Sequence, residues 1–189
     1  DLYIMNDPYL GGTHLPDIAI VMPVFLDNKP TAISASMTHH QDVGGMSPGS
    51  VPPNATEIYQ EGIRIPPLKL REGKEFNDTL IQMLKLNVRV PQVFMGDIGA
   101  QISACTVGAR RVVELADRYG RIQTLQIFNE LLDRSEQLTR KALEAIPDGT
   151  YSYVDYLDND GVNLDESVRI EVAVTISGSE FHCDFEGTD

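Results

Sequence analysis

Two apolar runs, residues 18–26 and 31–37, are separated by Asp27-Asn28-Lys29-Pro30 and flanked by polar clusters rich in His and Asp. Polar and Pro residues of that kind stop a strand and start a turn, so the pattern predicts a β-hairpin. A hairpin sets the residues before its first strand beside those after its second. Here that brings His14 and Asp17 next to His39, His40 and Asp42. Three of the four histidines lie in this stretch, so one end of a sheet must collect them.

Gathered His and Asp suit a divalent ion such as Mn, Fe or Zn, because imidazole and carboxylate are ligands of intermediate hardness. Two His and one Asp would leave coordination positions open for water or substrate, as a catalytic metal requires. The pairs Gly11-Gly12 and Gly44-Gly45 permit close backbone approach beside such a site. Neither cluster has the spacing of a zinc signature such as HExxH. The same residues would serve equally as polar loop and strand-end groups with no shared role.

The remainder of the chain is helical, then β. Prolines punctuate residues 47–67 and forbid a helix there. A long irregular stretch of this kind is more often functional than idle. Glu57 and Glu61 lie within it, and pairing of Glu61 with Arg64 is the simpler expectation for that glutamate. Asn77 or Asp78 can cap a helix carrying Leu80, Ile81, Leu84 and Val88. Pro91 suits the first turn of a long helix toward Tyr119, with Gly120 as its C-cap. Small residues along that helix, from Gly96 to Ala109, predict close packing against another helix or a partner's backbone. Gln101 is a candidate interfacial residue on it, whereas Arg110 and Arg111 read as solvated. A second amphipathic helix spans 122–146 and, across a short connection, is expected to pack antiparallel to the first.

Alternation over 150–157, 168–176 and 180–185 predicts an antiparallel meander. The acidic turn Asp158-Asn159-Asp160-Gly161 fails as an EF-hand, since Gly161 at position 6 would put Tyr156 and Ser167 at positions 1 and 12. No nucleotide-binding glycine motif is present. The fold class is therefore α+β, in three segments: 1–70 with the hairpin and Pro/Gly-rich loops, a helical 71–147, and a β-meander over 148–189.

Composition narrows the function classes. A formal charge of −13 argues against nucleic acid and against a polybasic membrane anchor. No run of residues is long and apolar enough for a transmembrane helix, and no signal peptide is visible. Cys105 and Cys183 form no disulfide framework, each is expected to be a small buried hydrophobe, and the cytoplasm is the default compartment.

The wording NDPYLGGTHLPDI, HHQDVGGMSPGSVPP and EGIRIPPLKL, in that order, resembles the hydantoinase B/5-oxoprolinase family. The later NVRVPQVFMGDIGAQISACTVGARR and the closing FEGTD look familial too, so the resemblance covers essentially the whole chain. The family includes N-methylhydantoinase B subunits, the C-terminal part of 5-oxoprolinase, and the α-type subunits of acetone and acetophenone carboxylases. Its members are longer on both sides, so this chain is expected to be a piece of a larger hydantoinase B-type domain.

The resemblance implies a metal on a His-x-x-Asp pair and a later His placed three residues before an Asp. His14 and Asp17 match the pair, and His39, three before Asp42, matches the third ligand. Asp42 or His40 would then orient a ligand or move a proton, and Asn6, Asp7 and Thr13 would contact substrate. It also implies a hetero-oligomer, in which an A-type partner binds ATP and activates a cyclic amide. The metal would supply the water that opens the ring. Two alternatives stay open: the α-type subunit of an ATP-dependent ketone carboxylase, and a non-catalytic assembly module of such a complex.

Overall fold

The predicted hairpin closes through Asp27 and Asn28, both in the left-handed region at φ 52° and 59°. A two-residue loop of that kind matches the twist of the strands it joins. Lys29 and Pro30, expected in the turn, instead begin the second strand. In the computed structural model, which describes residues 1–189, the strands are β1 (Leu2–Met5), β2 (Asp17–Leu26), β3 (Lys29–His39), β4 (Leu68–Glu72) and β5 (Glu75–Phe76). Two helices follow, α1 (Asp78–Asn87) and α2 (Pro91–Tyr119), then α3 (Arg121–Glu144). The last strands are β6 (Gly149–Leu157), β7 (Val168–Ser177) and β8 (Glu180–Asp184). The α+β class and the C-terminal meander are as expected.

The chain divides by packing into two units, Asp1–Arg121 and Ile122–Asp189, and the division falls inside the expected helical segment 71–147. In the first, five antiparallel strands run in the order β3-β2-β1-β4-β5. The hairpin is thus one side of a larger sheet. Strands β1, β4 and β5 are too short to show clear alternation in the sequence, and β1 is held from both sides by β2 and β4.

Helix α2 crosses one face of this sheet. Its buried side reads Phe94, Ile98, Gln101, Cys105, Ala109 and Ala116, spacings that keep one stripe inward. Opposite them stand Ile4, Ile18 and Ile20 of the sheet, all fully buried, while Leu84 of α1 completes the core. Each such aliphatic side chain stabilises the fold by about 1.5–3 kcal/mol when fully buried. Gly108 explains part of the small-residue pattern, since a Cβ there would sit 2.5 Å from the Ser34 hydroxyl of β3. Gly96 and Gly99 face open space. The other face of the hairpin leaves Phe25, Ile33 and Met37 exposed.

Asn77 is the cap of α1, its side chain accepting from the Leu80 N–H, and Pro91 occupies the first turn of α2. In the second unit β6, β7 and β8 pair in sequence order as an antiparallel sheet. Cys105 is buried as expected, but Cys183 is exposed, against expectation. No helix is long and apolar enough to cross a membrane.

Candidate functional site

Asp17 opens β2 and His39 closes β3, and the ladder pairs them directly. That register aims both side chains at one spot. His39 Nδ1 lies 2.7 Å from Asp17 Oδ1, and His14 Nδ1 lies 2.9 Å from Asp17 Oδ2. Thr13 donates its hydroxyl to Oδ2 at 2.5 Å, and the His14 backbone N–H reaches the same oxygen at 3.3 Å. Burial pushes the Asp17 carboxyl up, but the hydrogen bonds from Thr13, His14 and His39 outweigh it and hold the group well below the usual carboxylate range. Asp17 is therefore an anion at neutral pH, and an ionised carboxylate only accepts. Each imidazole thus donates from Nδ1 and keeps its outer nitrogen for other work. Both rings remain largely exposed.

The loop bearing His14 is fixed from beneath. Asn6 is fully buried, and its side-chain amide donates to the carbonyls of Leu15 at 2.7 Å and Ile63 at 2.9 Å. Its oxygen accepts from the Ile65 N–H at 2.6 Å. One side chain therefore ties the loop around residue 15 to the irregular segment leading into β4. Asp7 accepts from the Tyr9 N–H at 3.0 Å and pairs with Arg64 at 3.0 Å. Arg64 is thus taken by Asp7 rather than by Glu61, the partner expected for it. Gly12 is required by close approach, since a Cβ would fall 2.5 Å from the Asn6 carbonyl.

His40 points the opposite way from His39, as neighbours on a strand do. Its ring is buried beside Phe94, 4.9 Å between centroids. Gln101 donates to the carbonyls of Ile18 at 2.7 Å and Ser36 at 3.0 Å, so its oxygen faces His40 Nε2 at 3.0 Å. The proton of His40 accordingly sits on Nε2. Nδ1 has no hydrogen-bond partner, and the nearest carboxylate oxygen, on Asp97, is 4.0 Å away. Burial lowers the pKa of this ring and keeps it neutral. The backbone N–H of His40 donates to Pro16 at 2.8 Å, which binds the end of the hairpin to the turn carrying His14 and Asp17.

Asp42 is buried and accepts from the Gly44, Gly49 and Arg89 N–H groups and from the Arg89 guanidinium at 2.9 Å. Arg89 also donates to the carbonyls of Gly44, Gly45 and Ser47, so one ion pair shapes the loop after His40. In the sequence Arg89 lies within the familial stretch NVRVPQVFMGDIG, but nothing in that stretch points to Asp42 as its partner. Gln101 is more legible, as the one polar side chain on the buried stripe of α2.

A cleft of about 430 Å³ opens beside His14, between residues 8–15 and 55–61. Thr13 and His14 line it, with Tyr9, Glu57, Ile58 and Glu61, whereas Asn6 and Asp7 do not. The structure therefore brings together His14, Asp17, His39 and Thr13, and places Asn6, Asp7, His40 and Asp42 behind them. As the side chains stand, no three His, Cys, Asp or Glu residues are arranged to ligate an ion. In kind the donor set nonetheless suits a divalent ion, two imidazoles and one carboxylate held ionised, and an ion held by all three would take the place of the Nδ1 protons between the rings and Asp17.

The family model of hydantoinase B/oxoprolinase matches residues 1–189. The caprolactamase subunit beta of Pseudomonas jessenii is 37% identical over 182 residues, covering 96% of this chain and 31% of that protein. The crystal structure of ATP-dependent caprolactamase from the same organism superimposes with a TM-score of 0.87, over 98% of this chain and 32% of that one. The acetophenone carboxylase delta subunit of Aromatoleum aromaticum is 30% identical over 163 residues, covering 86% of this chain and 24% of its own length. This chain thus spans about a third or less of these relatives. With the family model matched from end to end and the fold shared with the caprolactamase, the chain belongs to the hydantoinase B/oxoprolinase family.

Proposed function

We propose that this chain is part of the B-type subunit of an ATP-dependent, cytoplasmic hydrolase of cyclic amides, in which His14, Asp17 and His39 hold a divalent metal ion. The carrying observation is the convergence of both imidazoles on the Asp17 carboxylate at the edge of a cleft. When bound, such an ion supplies Lewis-acid chemistry, lowering the pKa of water and offsetting charge on the amide oxygen. Asp17, held ionised, would share the ion with the Nδ1 atoms of both rings and neutralise part of its charge. Thr13, donating to Asp17 and lining the cleft, sets the carboxylate's orientation beside the substrate. Asn6 and Asp7 keep the two walls of the cleft in register, while His40 and Asp42 anchor the strand end that carries His39. An A-type partner subunit binds ATP and activates the amide oxygen, a reading supported by the ATP-dependent, subunit-named caprolactamase among the relatives.

The test uses the full-length protein with its A-type partner. Metal content by elemental mass spectrometry is expected to be near-stoichiometric Mn, Fe or Zn, and to be lost in the His14→Ala/His39→Ala variant. ATP-dependent ring opening is expected to fall by at least about 10³-fold with it, the scale at which essential electrostatic groups act. Retention of both metal and turnover in His14→Ala and in Asp17→Ala overturns the assignment. The carboxylase relative supports a second reading, ketone carboxylation at the same residues. Acetone or acetophenone consumed with bicarbonate, and no ring opened, would favour it.

A further inference from the structure

The side chains of His14 and His39 are 77% and 56% exposed, so neither ring is held by packing of its own. The sheet gives His39 little support. Strand β3 is an edge strand, paired on one side only, and the Asp17–His39 rung is the last of its ladder. The end of an edge strand has few bonds to lose and opens most easily. What fixes it lies on the covered face. Gln101 of α2 is 3% exposed and donates from Nε2 to the carbonyls of Ile18 at 2.7 Å and Ser36 at 3.0 Å. Its Oε1 accepts from His40 Nε2 at 3.0 Å. Ile18 follows Asp17 in the chain and His40 follows His39, so one buried amide holds the residue next to each member of the rung. The helix that carries it is seated in the core by Phe94, Ile98 and Cys105 on the same stripe.

We infer that Gln101 is a positioning residue of the proposed metal centre, holding the ends of β2 and β3 at the separation at which Asp17 and His39 share one ion. The inference rests on the metal reading above. Gln101 does not line the cleft, and it acts through Ile18 and His40. Ligand atoms have to be held within about 0.5 Å of the productive geometry by groups that are themselves locked in place. A buried amide making three hydrogen bonds is such a group. Gln suits the position because Nε2 carries two donors for two carbonyls, which leaves Oε1 for an imidazole N–H. Met has the same reach and none of these groups. Replacement by Met leaves the His40 Nε2–H buried without its acceptor and releases both strand ends from α2.

The experiment uses the full-length protein with Mn2+ alone as the probe, free Mn2+ being read by its electron paramagnetic resonance signal. Gln101→Met is expected to raise the Mn2+ Kd by about 10–100-fold, the range for losing a group that orients metal ligands. Leu84→Ala removes a core side chain of α1 that makes none of these hydrogen bonds. It is expected to lower Tm at least as far and to leave the Kd unchanged. Equal affinity in wild type and Gln101→Met overturns the inference. So does an equal loss of affinity in Leu84→Ala, which marks general destabilisation. Gln101→Asn keeps the amide one methylene short, and it carries the same test should the Met variant fail to fold. Wild-type protein that binds none of Mn2+, Fe2+ and Zn2+ removes the metal reading instead. Crystal structures of the metal-free proteins then decide the positioning role. The His39 Nδ1–Asp17 Oδ1 contact, 2.7 Å here, is expected to open past hydrogen-bond reach in Gln101→Met, and its retention overturns the inference.

Discussion

At the residue scale, a buried carboxylate is stable only when every oxygen is partnered. Asp42 meets that condition through three backbone N–H groups and Arg89. Burial raises its pKa, but the bonds from Arg89, Gly44 and Gly49 outweigh this and hold it below its ordinary value of 3.8. A carboxyl depressed in the folded state stabilises fully above its unfolded pKa and loses that contribution as pH falls through the folded value. Asp42→Asn should therefore destabilise at neutral pH by about 3 kcal/mol, and the loss should shrink as pH falls below the ordinary carboxylate range. Urea unfolding of both proteins from pH 7 down to pH 2.5 reads the difference, and a loss that stays constant across that range would contradict it. The proposed ligands His14, Asp17 and His39 were legible in sequence only through the family resemblance, which implies a His-x-x-Asp pair with a later His. Arg89 was not, because its role is fixed by a loop 47 residues away.

At the element scale, the hairpin depends on a turn that few residues tolerate. Asn28 stands at φ 59°, where Asn is accepted and most side chains are strained. Asn28→Ala is expected to cost about 1 kcal/mol, and Asn28→Gly to cost nothing or stabilise slightly. Thermal melts of the two variants check the order, and equal losses would show that the turn conformation is not what matters. Because the turn sets the register, and the register pairs Asp17 with His39, slippage here would also part the site. The long elements were readable for local reasons: Asn77 caps α1, Pro91 starts α2, and the hairpin alternates. Strand β1, only four residues long, acquires its identity from the two strands beside it.

At the scale of the whole molecule, apolar burial is unevenly shared. The continuous core draws on residues from Leu2 to Cys105, all within Asp1–Arg121. Among buried apolar side chains only Ile176 belongs to Ile122–Asp189. A chain of residues 1–121 is therefore expected to unfold cooperatively on its own, and residues 122–189 to show no cooperative transition. Calorimetry of the two pieces distinguishes this from a fold that needs both. By itself the sequence determined what depends on neighbours a few residues apart: strand and helix periods, caps, the hairpin turn, and hence which end of the sheet gathers His14, Asp17, His39, His40 and Asp42. Only the tertiary structure decided how those residues divide. The pleat turns His39 outward to Asp17 and His40 inward to Gln101, 61 positions away. Asn6 closes on Ile63 and Ile65, and Arg64 chooses Asp7 over Glu61. A polar group's partner is whichever group the packed chain brings within hydrogen-bond reach, and no local spacing encodes that choice.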